Sequence, residues 1–190
     1  MNSKQLKGLT VISIADGEKL GTIDHIYLDP VKKQVAGFGI HEAPGHQTGD
    51  ASTPTLIDVD DIHSLGPDAI TLSDKGAIRG DQTRDQLDAL LELDHLTGLK
   101  AVTEGGTHIG GVASVDIDDR TFQIRQLEVS PGFFKSNKHV AVNQITSIGS
   151  DLVIVDDAVL ASDQAVSSSD PDDDGSDERR FVVGDITPAE

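Results

Sequence analysis

Three groups of residues in this chain have types that could do chemistry. The first is HEAPGH, His41 to His46, which carries the two histidines and the glutamate of a zinc-protease helix. In that helix the histidines lie about four residues apart on one face. Here they are five apart with Pro44 and Gly45 between them, and proline breaks the helix that would align them. A loop could gather His41, His46 and His63 around a cation, but the spacing builds no metal site. His25, His95, His108 and His139 stand singly, without ligand spacing.

The second group is DPDDDGSDE, Asp170 to Glu178, in which Asp170, Asp172, Asp174 and Gly175 match the first half of a calcium loop. The position where that loop needs its bidentate glutamate is Phe181. Asp170, Asp172 and Asp174 are thus weak metal candidates, and a solvated acidic tail is the simpler expectation. The third group pairs Asp58, Asp60 and Asp61 with Asp116, Asp118 and Asp119. Acids alternating with apolar residues describe a strand with one wet face, and no His, Ser or Lys recurs nearby in both sets as base or nucleophile. The chain has no cysteine, which removes thiolate nucleophiles, disulfides and Cys-ligated metals together. The expectation is a protein without catalytic residues or cofactor, and not an enzyme.

The elements that carry these residues are organised by a repeat. DGEKLGTIDHIYLD, Asp16 to Asp29, returns about ninety residues later as GGTHIGGVASVDID, Gly105 to Asp118. In the first copy the apolar positions run Ile23, Ile26, Leu28, and in the second Val112, Val115, Ile117. A half-buried strand keeps a gap of two, so the gap of three implies an extra residue, the mark of a β-bulge that bends and twists its strand. The next strand repeats it as Val35, Phe38, Ile40 and as Ile124, Leu127, Val129. Two bent strands per copy predict closure into a barrel. Gly17 and Gly106 are expected in turns, and Gly21 and Gly110 at tight corners within a strand; a phosphate-binding loop would need a helix after them. The pattern continues with Ile57, Val59, Ile62 and Ile70 matching Val140, Val142, Ile145 and Val153, and with Ser64 and Gly66 matching Ser147 and Gly149.

Between the copies, DQTRDQLDALLELD changes to a helical period with Leu87, Leu90 and Leu91 on one stripe. Apolar residues make up 36% of the 190 residues but aromatics only 3%, so the core must be aliphatic, and its β-branched members favour strands. The expected fold is all-β: two tandem small antiparallel β-barrels over residues 4–75 and 95–158, joined by a helical linker at 76–94 and followed by a disordered acidic tail at 159–190. The end of that tail, FVVGDI, has the β propensity to add to a sheet edge.

The net charge of −18 repels phosphate backbones, so direct nucleic-acid binding is disfavoured; a salt-rich cytoplasm is the other explanation for it. No apolar run reaches the roughly 18 residues that span a bilayer, and a cytoplasmic location is expected. Phe133 and Phe134, followed by Lys135 and Lys138, form the one aromatic and basic cluster in an acidic chain. Two adjacent phenylalanines on a loop would anchor a protein partner, or else cap the open end of a barrel.

ISIADGEKLGTIDHIYLDPVKKQVAGFGI and DVDDIHSLGPDAITL resemble the PRC-barrel family, over nearly all of residues 6–74 and more weakly over 96–157. The resemblance implies a barrel of about six antiparallel strands per copy that serves as a docking surface and has no catalytic motif. Members of the family occur in the photosynthetic reaction centre H subunit, in a ribosome maturation factor, and as stand-alone proteins resembling cell-division adaptors. It therefore implies a non-enzymatic adaptor with a protein partner, with homo-oligomers open to it. The alternatives are an accessory factor for ribosome maturation and a weak calcium- or metal-binding protein.

Overall fold

The computed structural model describes residues 1–45, 55–78, 89–132 and 136–161. In the first copy the strands are β1 (Thr10–Ser13), β2 (Lys19–Asp29), β3 (Gln34–Glu42), β4 (Thr55–Asp58), β5 (Ile62–Leu65) and β6 (Ala69–Leu72). A two-residue strand β7 (Leu91–Glu92) and a one-turn helix α1 (Leu93–Leu96) follow. The second copy comprises β8 (Lys100–Thr103), β9 (His108–Ile117), β10 (Ile124–Ser130), β11 (Lys138–Ala141), β12 (Ile145–Ile148) and β13 (Leu152–Val155), closed by α2 (Ala158–Ala161).

Each copy makes the same sheet. The order β4-β3-β2-β1-β6-β5 in the first is repeated as β11-β10-β9-β8-β13-β12 in the second. Neighbours are antiparallel except β1 with β6 and β8 with β13. The two edge strands of each sheet are consecutive in the chain, separated by one 3-10 turn, Val59–Asp61 or Val142–Gln144. The sheet thus curls until its edges are one stretch of chain, and an edge covered in this way is protected from pairing elsewhere. The core is aliphatic as expected, with Ile57, Ile70, Val140 and Val153 fully buried.

The bulges fall where the apolar spacing puts them. Between β2 and β3 the register slips once between Ile23 and His25 and once between Tyr27 and Leu28, leaving Asp24 and Ala36 as the extra residues. Between β9 and β10 it slips between Glu128 and Val129 and between Ile124 and Gln126, leaving Ala113 and Arg125. The extra residue keeps Ile23, Ile26 and Leu28 on one buried face, and likewise Val112, Val115 and Ile117.

The segment ahead of each barrel crosses to the other barrel. Met1 and Ile117 exchange two backbone bonds of 2.6 and 2.9 Å, and Asn2 pairs with Asp116. Reciprocally, β7 pairs Leu91 with Leu28 and Glu92 with Tyr27. Leu6 and Leu96, at the end of the two straps, are each fully buried. The straps occupy the second halves of β2 and β9, beyond the reach of β1 and β8, where backbone groups would otherwise lack partners.

A second reciprocal contact joins the hairpin turns. Asp29 Oδ1 accepts the Val31 and Lys32 N–H groups at 2.9 Å, and Asp118 Oδ1 accepts those of Arg120 and Thr121 at 3.0 and 2.9 Å. Each turn ends in a residue of positive φ, Lys33 at 54° and Phe122 at 57°. The Val35 N–H then donates to the Phe122 carbonyl at 2.8 Å, and the Ile124 N–H to the Lys33 carbonyl at 2.9 Å. Since Lys33 matches Phe122 and Val35 matches Ile124, the two bonds are mirror partners about a pseudo-two-fold axis near Gln34 and Gln123, which bridge each other. One continuous buried cluster runs through both barrels.

Of the inter-copy helix, residues 79–88 lie outside the described residues. Leu91, placed on its stripe, runs instead as strand in β7, because the unpaired half of β2 offers it backbone partners that a short helix end lacks. Residues 162–190 also lie outside the described residues. Among the described residues no helix is long and apolar enough to cross a membrane.

Candidate partner-binding surface

The residue sets that could have done chemistry are not assembled. His41 lies at the end of β3 in a shallow cleft with Lys19, Thr22 and Glu42. His63, on β5, lines a different cleft with Asp119 and Arg120; His46 lies outside the described residues. Asp58 caps the 3-10 turn, its Oδ1 accepting the Asp60 N–H at 3.0 Å, and Asp118 caps the β9–β10 turn. Among the described residues no three His, Asp or Glu side chains gather as a metal site. Asp170, Asp172 and Asp174 lie outside them.

The repeated glycines are explained by backbone geometry. Gly17 and Gly106 have φ of 66° and 85° with open space around them, the left-handed turn conformation that glycine adopts without penalty. A Cβ on Gly21 would fall on the His41 carbonyl oxygen, well under the 3.0 Å that such atoms keep. At Gly110 it would meet the Ser130 carbonyl carbon at 2.6 Å and the Pro131 nitrogen at 2.9 Å. At both corners the strand that leads into the longest loop of the copy lies directly against the glycine.

Comparison with known families agrees with this architecture. The family model of the PRC-barrel domain matches the chain twice, over residues 1–77 and 90–160. The chain belongs to the PRC-barrel family. No curated protein sequence matches it.

The two PRC-barrels differ most in the loops above the glycine corners. In the first barrel the loop leaves β3 at Ala43, whose N–H donates to the Leu20 carbonyl at 2.8 Å. In the second barrel it leaves β10 after Ser130, and Pro131, Gly132, Ser136 and Asn137 flank Phe133, Phe134 and Lys135, which themselves lie outside the described residues. Lys138 opens β11 opposite Val129.

A polar chain connects this second loop to the strap. The Asn137 amide donates to Glu128 Oε1 at 2.7 Å, and the Ser114 hydroxyl donates to Glu128 Oε2. The Asn2 amide in turn donates to Ser114 Oγ and Asp116 Oδ1, each at 3.2 Å. The hydroxyl of Ser114, then the Asn137 amide, hold the Glu128 carboxyl below its ordinary range.

The corresponding place on the first barrel is filled differently. Glu92 of the strap meets His25 Nδ1 at 2.6 Å, and the His25 ring takes the space beside Gly39, where a Cβ would meet His25 Cβ at 2.9 Å. Tyr27 stacks on that ring at a centroid distance of 6.2 Å. Burial, then the Glu92 and Asp24 carboxylates, push the Tyr27 hydroxyl up. Lys7 pairs with Asp94, whose carboxylate holds the ammonium above its usual value. The straps and their polar locks escaped the sequence reading. The available signal was LKGL at Leu6 to Leu9 recurring as LTGL at Leu96 to Leu99, which extends the repeat upstream of the first strand.

Proposed function

We propose that the chain is a non-enzymatic protein-interaction module, an adaptor within a larger assembly, whose partner docks on the loop from Phe133 to Lys138. One observation carries the reading: the ionisable groups and glycines that recur in both copies serve turns, caps and corners, while the loops above those corners differ. Asp29 with Asp118 and Gly21 with Gly110 are such pairs. Function that is not common to both barrels then belongs to what they do not share, and the second loop carries adjacent aromatic and basic residues, the types enriched where binding energy concentrates.

The test is affinity capture with the whole chain as bait, comparing it with the double variant Phe133→Ala, Phe134→Ala. Aromatic anchors contribute about 2 kcal/mol or more when truncated, so retention of the specific partner should fall at least about 30-fold while the thermal midpoint stays unchanged. A partner retained equally by both proteins would place the docking surface elsewhere.

A further inference from the structure

We infer that the face formed by the second half of the long strand and the turn after it, β2 with 29–34 and β9 with 118–123, recognises another strap-bearing barrel, and does so in trans as well as within one chain. The inference is independent of where an external partner docks. The bonds joining the barrels come in matched pairs about one axis: Met1 with Ile117 and Leu91 with Leu28, Asn2 with Asp116 and Glu92 with Tyr27, Val35 with Phe122 and Ile124 with Lys33. Such reciprocity is the property of an isologous interface, in which one patch is complementary to itself. A crevice of about 240 Å³ lies on the axis, lined by the equivalent pairs Ser3 with Leu93 and Lys7 with Thr97.

The chemistry of recognition is equally defined. The long strand offers backbone positions that its own barrel leaves unpaired and an added strand from the other copy's strap fills. The strap supplies an extended pair of residues, apolar first (Met1 or Leu91) and hydrogen-bonding second (Asn2 or Glu92), followed by one helical turn with a buried face. Ser3 completes the second-barrel site, its Oγ accepting the buried Val115 N–H at 3.1 Å. Phe122 reaches across to Phe38 edge-on, centroids 6.2 Å apart. None of these bonds comes from residues 79–88, so the connection between the barrels can be cut without removing one.

The experiment uses the full chain carrying a protease site within residues 79–88, folded intact and then cleaved. The two fragments should elute together at the position of the uncut protein at micromolar concentration. Mixing isotope-labelled and unlabelled cleaved preparations should give hybrid pairs by native mass spectrometry. Asn2→Ala, which removes two amide bonds to the opposing barrel together with the cap on its own strap's turn, should weaken the pairing about tenfold, and Leu93→Ala, which empties a buried strap position, about a hundredfold or more. Fragments that separate or precipitate after cleavage, an absence of hybrids, or pairing indifferent to both substitutions would overturn the inference.

Discussion

Three glycines, one in a turn and two at equivalent strand corners, offer a graded test, because alanine at each meets a different obstacle. At Gly17 there is no clash, only a φ of 66°. The left-handed penalty of about 1–2 kcal/mol is partly offset by the about 0.4–1 kcal/mol gained from a stiffer unfolded chain, leaving a loss of about 1 kcal/mol. At Gly21 the φ is ordinary, but the new Cβ meets the His41 carbonyl oxygen and lies 3.2 Å from Glu42 Cα, both backbone atoms that cannot rotate away. Relief requires the end of β3 to move, at about 1–3 kcal/mol for overpacking and about 1 kcal/mol for the weakened Ala43 to Leu20 bond, about 2–4 kcal/mol together. Gly110 combines both problems, a φ of 148° and three backbone atoms inside 3.0 Å, so about 3–5 kcal/mol is expected. For a domain of this size 1 kcal/mol corresponds to about 2–4 °C. Thermal unfolding should therefore show small, intermediate and large decreases in the order Gly17, Gly21, Gly110. Equal decreases at all three, or losses below about 0.5 kcal/mol at Gly21 and Gly110, would refute the argument that these glycines exist for backbone approach.

Other consequences are accessible to similar measurements. Glu128, Asp29, Asp118 and Asp157 are all held below their ordinary values, by the Ser114 hydroxyl, by the Lys32 N–H, by the Thr121 N–H and by the Thr103 side chain first in each case. Their folded values being depressed, their contribution is complete above the unfolded carboxylate value of about 4 and is lost as pH falls through the folded values; denaturant midpoints should be flat near neutrality and drop in acid, less steeply in Glu128→Gln. Ser3→Ala leaves the Val115 N–H buried and unpaired, a loss of about 1–3 kcal/mol, with faster hydrogen exchange at Val115 as the specific sign. Asp29→Ala and Asp118→Ala each remove two turn bonds and should lower the denaturant midpoint as the loss of a helix cap does; similar decreases in the two variants would match their equivalent geometry, read from chemical denaturation.

What was legible in the sequence was whatever repeats with a period. The gap of three at Ile23 to Ile26 and at Val112 to Val115 encodes a bulge because a pleated strand alternates faces strictly, so one extra residue is visible as a phase error. The corner glycines were legible for a related reason: a residue that must lack a side chain cannot vary in type. The straps were not, since a two-residue strand has no period to detect, and Ser3 stands where the other copy has Leu93. The turn equivalence of Lys33 with Phe122 was hidden as well. What they share is a backbone angle and a carbonyl, and chemically the side chains are unlike. The loop at Phe133 to Lys138 was singled out from composition alone, and only Lys138 of its four candidates lies among the described residues.

The pseudo-two-fold has a consequence for valency. A dimer of identical single barrels would display one loop twice, so anything docking there would meet the same surface on both sides. Joining the halves in one chain keeps the shared frame while freeing each loop to change on its own. Here β3 and β4 are joined through residues 43–54, and β10 and β11 through residues 131–137, two stretches of unlike sequence. The frame is a symmetric pair of barrels that carries two loops of unlike sequence.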